Sequence, residues 1–184
     1  FDENIYLQVL DETLEFRNRK QIFPLGKYRD IRDATAAVIN GQLIISGPDI
    51  PTLWGYTGSG IRLARKQPSV NTAVETLDVP NGICVSWAGR CVIAKGEALF
   101  VSDPFAPRTY TAGGVVTLPG IVYGLHVGIN GDLIAVTADG VYSLSSQAAA
   151  QGQNIVGSVQ KLSSYRASKY KSSCLTPKGL YGLT

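Results

Sequence analysis

Gly82-Ile83-Cys84-Val85-Ser86-Trp87, Ala88-Gly89, Arg90-Cys91-Val92-Ile93-Ala94, Lys95-Gly96-Glu97, Ala98-Leu99-Phe100-Val101-Ser102 and Asp103-Pro104-Phe105-Ala106-Pro107-Arg108-Thr109-Tyr110 follow one another without a break. Short β-branched and aromatic runs cut by Gly are strand signals. The stretch predicts a three-strand meander, with a Pro-bounded loop carrying the chain to a fourth strand at Val115-Val116-Thr117-Leu118. With Ala88-Gly89 as a two-residue hairpin loop, Trp87 faces Arg90, Ser86 faces Cys91 and Cys84 faces Ile93. Cys84 and Cys91 then share a face diagonally, a poor geometry for a disulfide.

Working outward, the same unit recurs. Ala36 to Ile39 leads into Asn40-Gly41, a strong two-residue hairpin signal. Gln42 to Ser46 returns, Gly47 to Pro51 turns, Thr52 to Tyr56 is a third strand, and Thr57 to Gly60 turns into Ile61-Arg62-Leu63. The polar segment 64–81 links to the next unit and has room for one more strand between Val70 and Val79. Beyond Pro119-Gly120, the run from Ile121 to Ile129 alternates, with Ile121, Tyr123, Leu125, Val127 and Ile129 on one face and His126 opposite. Asn130-Gly131 predicts a hairpin, Asp132 to Thr137 a strand, Ala138-Asp139-Gly140 a turn, and Val141 to Ser145 a further strand. Ser146 to Gly152 reads as a small-residue loop and Ile155 to Leu162 as the outer strand. At the start, Ile5 to Leu10 and Thr13 to Phe16 predict a hairpin around Asp11-Glu12, with 17–33 a connecting loop.

Thr137-Ala-Asp-Gly140-Val-Tyr-Ser-Leu-Ser145 matches Thr176-Pro-Lys-Gly179-Leu-Tyr-Gly-Leu-Thr184 in residue type. The first-hairpin turns at Gly41, Gly89 and Gly131 lie 48 and 42 residues apart. A period of roughly 40–50 residues, each a four-stranded meander, is the sequence form of a propeller blade. The expected fold is therefore all-β, with β-propeller-like repeats of four-stranded antiparallel meanders; a β-sandwich is the alternative, since it has similar strand spacing. The expected division is an N-terminal hairpin and loop over 1–33 and a repeat region over 34–184, with units at 34–81, 82–118, 119–172 and a partial one at 173–184. The N-terminal strands are candidates to complete the last unit.

Composition bounds the chemistry. Of 184 residues, 45% are apolar and 17% charged, enough for a core, and no apolar run approaches the roughly 18 residues of a membrane-spanning helix. No signal-peptide pattern opens the chain, and the absence of Met suggests a processed or partial product of a longer chain. Three cysteines without a Cys-x-x-Cys predict reduced thiols and no zinc site. Net charge is +3, but no acidic residue follows Gly140, while Lys161, Arg166, Lys169, Lys171 and Lys178 are basic. A second basic run holds Arg17, Arg19, Lys20, Lys27, Arg29 and Arg32. Such runs are solvated faces or contacts to an acidic partner or phosphate backbone.

Catalytic constellations are sparse. His126 is the single histidine, and no Gly-x-Ser-x-Gly elbow accompanies it. A pair with Cys84 or Cys91 has no support in the spacing. Asp49, Asp103 and Asp139 sit at comparable turns of successive units, where Asp serves the turn itself before any glycosidase chemistry. Trp54, Tyr56, Trp87 and Tyr110 are candidates for a sugar-stacking surface or, more commonly, for packing between sheets. The sequence assigns no catalytic, cofactor-binding or metal-binding residue and no cofactor. Its candidate ligand or partner contacts are Trp54, Tyr56, Arg108, Tyr110, Arg166, Lys169 and Lys171.

From Trp87-Ala-Gly-Arg90 through Ala98-Leu-Phe-Val-Ser-Asp-Pro-Phe-Ala-Pro-Arg-Thr-Tyr110, the chain resembles the propeller-like repeats of bacteriophage virion structural proteins of the tail nozzle and tail-associated type. Those repeats read as a Trp-x-Gly-Arg hairpin, an aromatic strand ending in Ser-Asp/Glu-Pro, then a second Pro and an aromatic. The Thr-x-x-Gly-Val/Leu-Tyr units at 137–142 and 176–181 share the style, so the resemblance spans roughly 34–184. The chain is shorter than full nozzle proteins. The resemblance implies a non-enzymatic subunit in the tail or head-to-tail region of a virion, assembled in the host cytoplasm. Its implied partners are other virion proteins and copies of itself in a ring, with the basic ends meeting DNA or an acidic surface and no membrane partner.

Overall fold

The computed structural model describes residues 4–8, 22–27, 33–56, 75–76, 79–151, 155–168, 173–176 and 179–182. Strands dominate. The first four-stranded sheet is β3 (Thr35–Ile39), β4 (Gln42–Gly47), β5 (Ile50–Tyr56) and β6 (Glu75–Thr76). The second is β7 (Ile83–Trp87), β8 (Arg90–Lys95), β9 (Ala98–Asp103) and β10 (Ala106–Thr117). The third is β11 (Val122–Val127), β12 (Leu133–Thr137), β13 (Val141–Leu144) and β14 (Gln160–Ser163). Within each sheet neighbours in sequence are neighbours in space and run antiparallel, so each is a meander. Two-stranded sheets stand before and after these: β1 (Asn4–Gln8) with β2 (Ile22–Lys27), and β15 (Ser173–Thr176) with β16 (Gly179–Gly182). The fold is all-β, and among the described residues no helix is long and apolar enough to cross a membrane.

Turn chemistry sets the hairpins. Asn40 and Gly41 have φ of 47° and 70°, and Ala88 and Gly89 have 47° and 71°. Both central residues in the left-handed region are what a tight hairpin between right-twisted strands requires. Ile39 therefore pairs with Gln42 and Trp87 with Arg90, and Cys84 faces Ile93 as the sequence predicts.

The sheets stack face to face. In β8 every residue but Lys95 is buried. Cys91 and Ile93 pack toward the first sheet with Ala37, Ile39, Ile44 and Trp54. Val92 and Ala94 pack toward the third sheet with Val122, Leu125, Leu133, Ala135 and Leu144. Alternation of side chains along a strand produces this division, and a strand covered on both faces reads as a continuous apolar run. The first strands of successive sheets are neighbours: β3 packs on β7, β7 on β11, and β11 on β15.

The connections are tied down in a repeating way. Gly82 N–H donates to Ser46 Oγ (3.0 Å), and Thr52 Oγ1 donates to Pro80 O (3.0 Å). Val122 N–H donates to Gly96 O (2.8 Å), and Ala167 N–H to Thr137 O (2.9 Å). Each segment leading out of one sheet thus docks on the second hairpin of the sheet it leaves.

Several expectations are corrected. The partner of β1 is β2, inside the stretch read as a loop; its Pro24 sits beside a register shift, where a missing N–H is tolerated. Thr13–Phe16 lies outside the described residues. The fourth strand of the first sheet is β6, within the 70–79 window, while 61–63 lies outside the described residues. The turn after β4 is only Pro48-Asp49, because Gly47 pairs with Ile50. The Pro-bounded loop is the first half of β10, which turns tightly at Pro104-Phe105 and absorbs extra residues in two register shifts. Ser146–Ala150 is a helix, α1, capped by Ser145 and burying Ala148 and Ala149. The outer strand of the third sheet begins only at Gln160, after a 3₁₀ turn at Val156–Ser158.

Two changes concern β11. A shift between Val122 and Gly124 inverts the alternation, so Val122 and Leu125 share the core, while Tyr123 packs on the other face. Ile129 is 87% exposed and Ile121 is 45% exposed, so the uniform apolar face does not form. The turn to β12 spans 128–132 rather than Asn130-Gly131 alone, because Gly128 N–H bonds Asp132 O and Val127 pairs with Leu133.

Candidate functional site

Three of the seven candidate contact residues meet at the junction of the first two sheets. Trp54 enters from β5 and Arg108 and Tyr110 from the bulged start of β10. The Arg108 guanidinium lies 4.0 Å from the centroid of the Trp54 ring. Trp54 Nε1–H donates to Gln42 Oε1 (2.9 Å), and Gln42 Nε2 donates to Phe105 O (3.4 Å). Tyr110 packs against the same apolar cluster. Its hydroxyl is buried without an oxygen or nitrogen partner, beside the Cys91 thiol.

Trp54 is only 3% exposed, so its ring is committed to the junction and offers no sugar-stacking face. Trp87 is 1% exposed and its Nε1–H donates to Gly131 O (2.9 Å), joining the second sheet to the third. The aromatics hold sheets together. Tyr56 contributes β5 backbone opposite Gln42; its side chain lies outside the description. Arg166 is exposed beyond β14 and its charge acts on Asp139. Lys169 and Lys171 lie outside the described residues.

The thiols of Cys84 and Cys91 are structural. Cys84 Sγ–H donates to Thr35 O (3.3 Å), and Cys84 N–H donates to Thr35 Oγ1 (2.6 Å). Burial raises the Cys84 pKa and pushes Cys91 up to about 12 from an ordinary 9.0. A thiol held protonated is a poor nucleophile and a poor metal ligand. Both cysteines face the first sheet, whereas His126 pairs with Ile134 on the far face of the third. Cys84 and Cys91 thus lie on a different side of the fold from His126. Burial also lowers the His126 pKa, favouring the neutral ring.

Asp49, Asp103 and Asp139 belong to three different sheets. Asp49 and Asp139 lie in the second hairpin turn of their sheets, but Asp103 ends β9 at the third turn, which corrects the equivalence read from sequence. Asp139 accepts from Lys161 Nζ (2.6 Å) and from the Tyr142 hydroxyl, and these bonds hold its carboxyl below the ordinary range. Asp132 accepts from Ser146 N–H (2.8 Å) and fixes the start of α1. Among the described residues no group of three or more His, Cys, Asp or Glu side chains is placed to hold a metal ion.

One residue escaped the sequence reading. Arg90, only 9% exposed, donates Nη1 to Ser102 O (2.8 Å) and Nη2 to Ala149 O (3.1 Å), while its Nε has no partner. Its signal was the hairpin register, which sets it opposite the buried Trp87. Gln42 occupies the same place in the first sheet, directly after the first turn. Each residue reaches the connection between the third and fourth strands of the next sheet, at Phe105 and at Ala149.

No protein-family model matches the chain, and no curated protein or solved structure matches it.

Proposed function

We propose that the chain is a non-enzymatic structural module, a subunit of a bacteriophage particle in the tail or head-to-tail region, built from propeller-like repeats. One observation carries the structural role. Trp54, Trp87, Arg90, Cys84 and Cys91 are all buried, and the two indole N–H groups, the Arg90 Nη atoms and the Cys84 thiol are committed to ties within and between sheets. Successive first strands packed side by side, with each connection docked on the sheet before it, support the propeller-like reading. The virion setting rests on the resemblance of the Trp-x-Gly-Arg and Ser-Asp-Pro stretches. The partners are other virion proteins and further copies of this chain, with the basic residues of the C-terminal part, Arg166 among them, meeting DNA or an acidic surface.

The test is deletion of the gene segment encoding the chain. Loss of particle assembly is the expected result. Normal particles that fail only to adsorb would favour a receptor- or carbohydrate-binding role instead, a reading that the burial of Trp54 disfavours.

A further inference from the structure

Asn is followed by Gly at Asn40-Gly41, Asn81-Gly82 and Asn130-Gly131. In such a pair the glycine nitrogen can attack the side-chain carbonyl carbon of the asparagine, because glycine has no Cβ to hinder the approach. A bond forms between Gly N and Asn Cγ, and the Cγ–Nδ2 bond breaks. The side-chain nitrogen leaves as ammonia, taking the proton that the backbone nitrogen gives up. Water then opens the cyclic imide. Opening at Cγ leaves aspartate. Opening at the main-chain carbonyl leaves isoaspartate, with the main chain rerouted through Cβ and Cγ. Water is the only co-reactant, but the side chain and the next N–H must be free to meet.

The fold engages two of the pairs. Asn81 Nδ2 donates to Gly47 O (3.2 Å) and Pro48 O (2.7 Å), and its Oδ1 accepts from Lys95 Nζ (3.0 Å). Gly82 is buried against Ala94 O, and its N–H donates to Ser46 Oγ (3.0 Å). Asn130 Nδ2 donates to Asp132 Oδ2 (2.7 Å), and its Oδ1 accepts from Asp132 N–H (3.2 Å). Gly131 N–H is turned to Gly128 O (2.9 Å). Asn40 differs. It is exposed at the tip of the β3–β4 hairpin, and among the described residues neither its side chain nor Gly41 N–H has a hydrogen-bond partner.

We infer that Asn40 is the site of spontaneous deamidation in this chain, and that the fold directs the reaction there by holding the other two pairs. The consequence is structural. Isoaspartate lengthens the main chain of a turn whose register places Gln42 between the Trp54 indole N–H and the Phe105 carbonyl. Conversion at Asn40 therefore loosens the tie between the first and second sheets. The inference goes beyond the proposed function and does not rest on it.

The test holds the purified full chain at mildly alkaline pH and follows each pair by peptide mapping with mass spectrometry, isoaspartyl methylation marking the rearranged product. Asn40 is expected to react roughly ten-fold or more faster than Asn81 or Asn130, since opening either of those pairs first breaks several hydrogen bonds. In urea, with the fold removed, the rates should converge. The aged chain should melt below the fresh one, and Asn40→Gln should remove most of that difference. A native rate at Asn81 or Asn130 equal to that at Asn40, the same ranking of rates in urea, or an equal fall in midpoint in the Asn40→Gln chain would overturn the inference.

Discussion

The guanidinium of Arg108 stacks 4.0 Å from the centroid of the Trp54 ring, so a strand of the second sheet closes over an aromatic of the first. The pair unites an inter-sheet contact with a hydrogen-bonded chain through Gln42 to the Phe105 carbonyl. The two partners should contribute unequally. Trp54→Ala removes a buried aromatic and should cost about 3–5 kcal/mol. Arg108→Ala removes an exposed cation–π contact and should cost about 0.5–1 kcal/mol. Urea unfolding of both variants checks the ratio; equal losses would count against the packing described.

Arg90 ties the second sheet to α1 of the third. Arg90→Ala leaves the carbonyls of Ser102 and Ala149 without their donor and should destabilise by about 2–4 kcal/mol. Arg90→Met keeps much of the apolar stem and should lose less. Hydrogen exchange should rise first in α1, with the β3–β4 hairpin little changed, since the lost bond joins only the later sheets.

How far the sequence alone led depends on what kind of signal each element carries. Hairpins with strong turn residues were legible: Asn40-Gly41 and Ala88-Gly89 set the register of β3–β4 and β7–β8, including the Cys84–Ile93 pair. Elements defined by departures from pattern were not. The bulge after Val122 changed which face of β11 is buried; its one mark in the sequence is Gly124 inside the run, which the alternating pattern around it overrode. Ser146–Ala150 is composed of small residues compatible with a loop, and it is a helix because Ser145 caps it and Ala149 is buried under Arg90. Among the contact residues, Trp54 with Arg108 became a unit only when β10 crossed onto the first sheet, a contact between distant parts of the chain.

Glycine tolerance separates close approach from open edge. A Cβ at Gly82 would lie 1.9 Å from Ala94 O, and Gly82 N–H also holds Ser46 Oγ. Gly82→Ala should cost about 1–3 kcal/mol, toward the upper end. Gly113, in β10, has nothing within 4 Å of an added Cβ. Gly113→Ala should be neutral or stabilise by about 0.4–1 kcal/mol through the unfolded chain. Thermal unfolding of the two variants should move in different directions, and a comparable loss in both would contradict the packing at the Gly82 connection.

Protonation should bound stability on both sides. The buried thiols have folded pKa values above their unfolded ones, so above about pH 9 the unfolded chain loses protons that the folded chain keeps. Stability from Cys91 should therefore fall as pH rises from 9.0 toward about 12, at roughly 1.4 kcal/mol per pH unit. His126 has the opposite sense. Its folded pKa is lowered, so its contribution is present above 6.5 and declines as pH falls below it. Denaturant midpoints across pH, with Cys91→Ala and His126→Gln variants, check each side. The Cys84 and Cys91 thiols should also resist alkylation near neutral pH until the chain unfolds.

The proposed function makes this module a structural part of a particle. Quantitative mass spectrometry of purified particles tests it most directly. The chain, alone or within a longer polypeptide, is expected there in a fixed copy number that matches a ring symmetry. Its absence from purified particles, or a variable trace amount removed by washing, would contradict it.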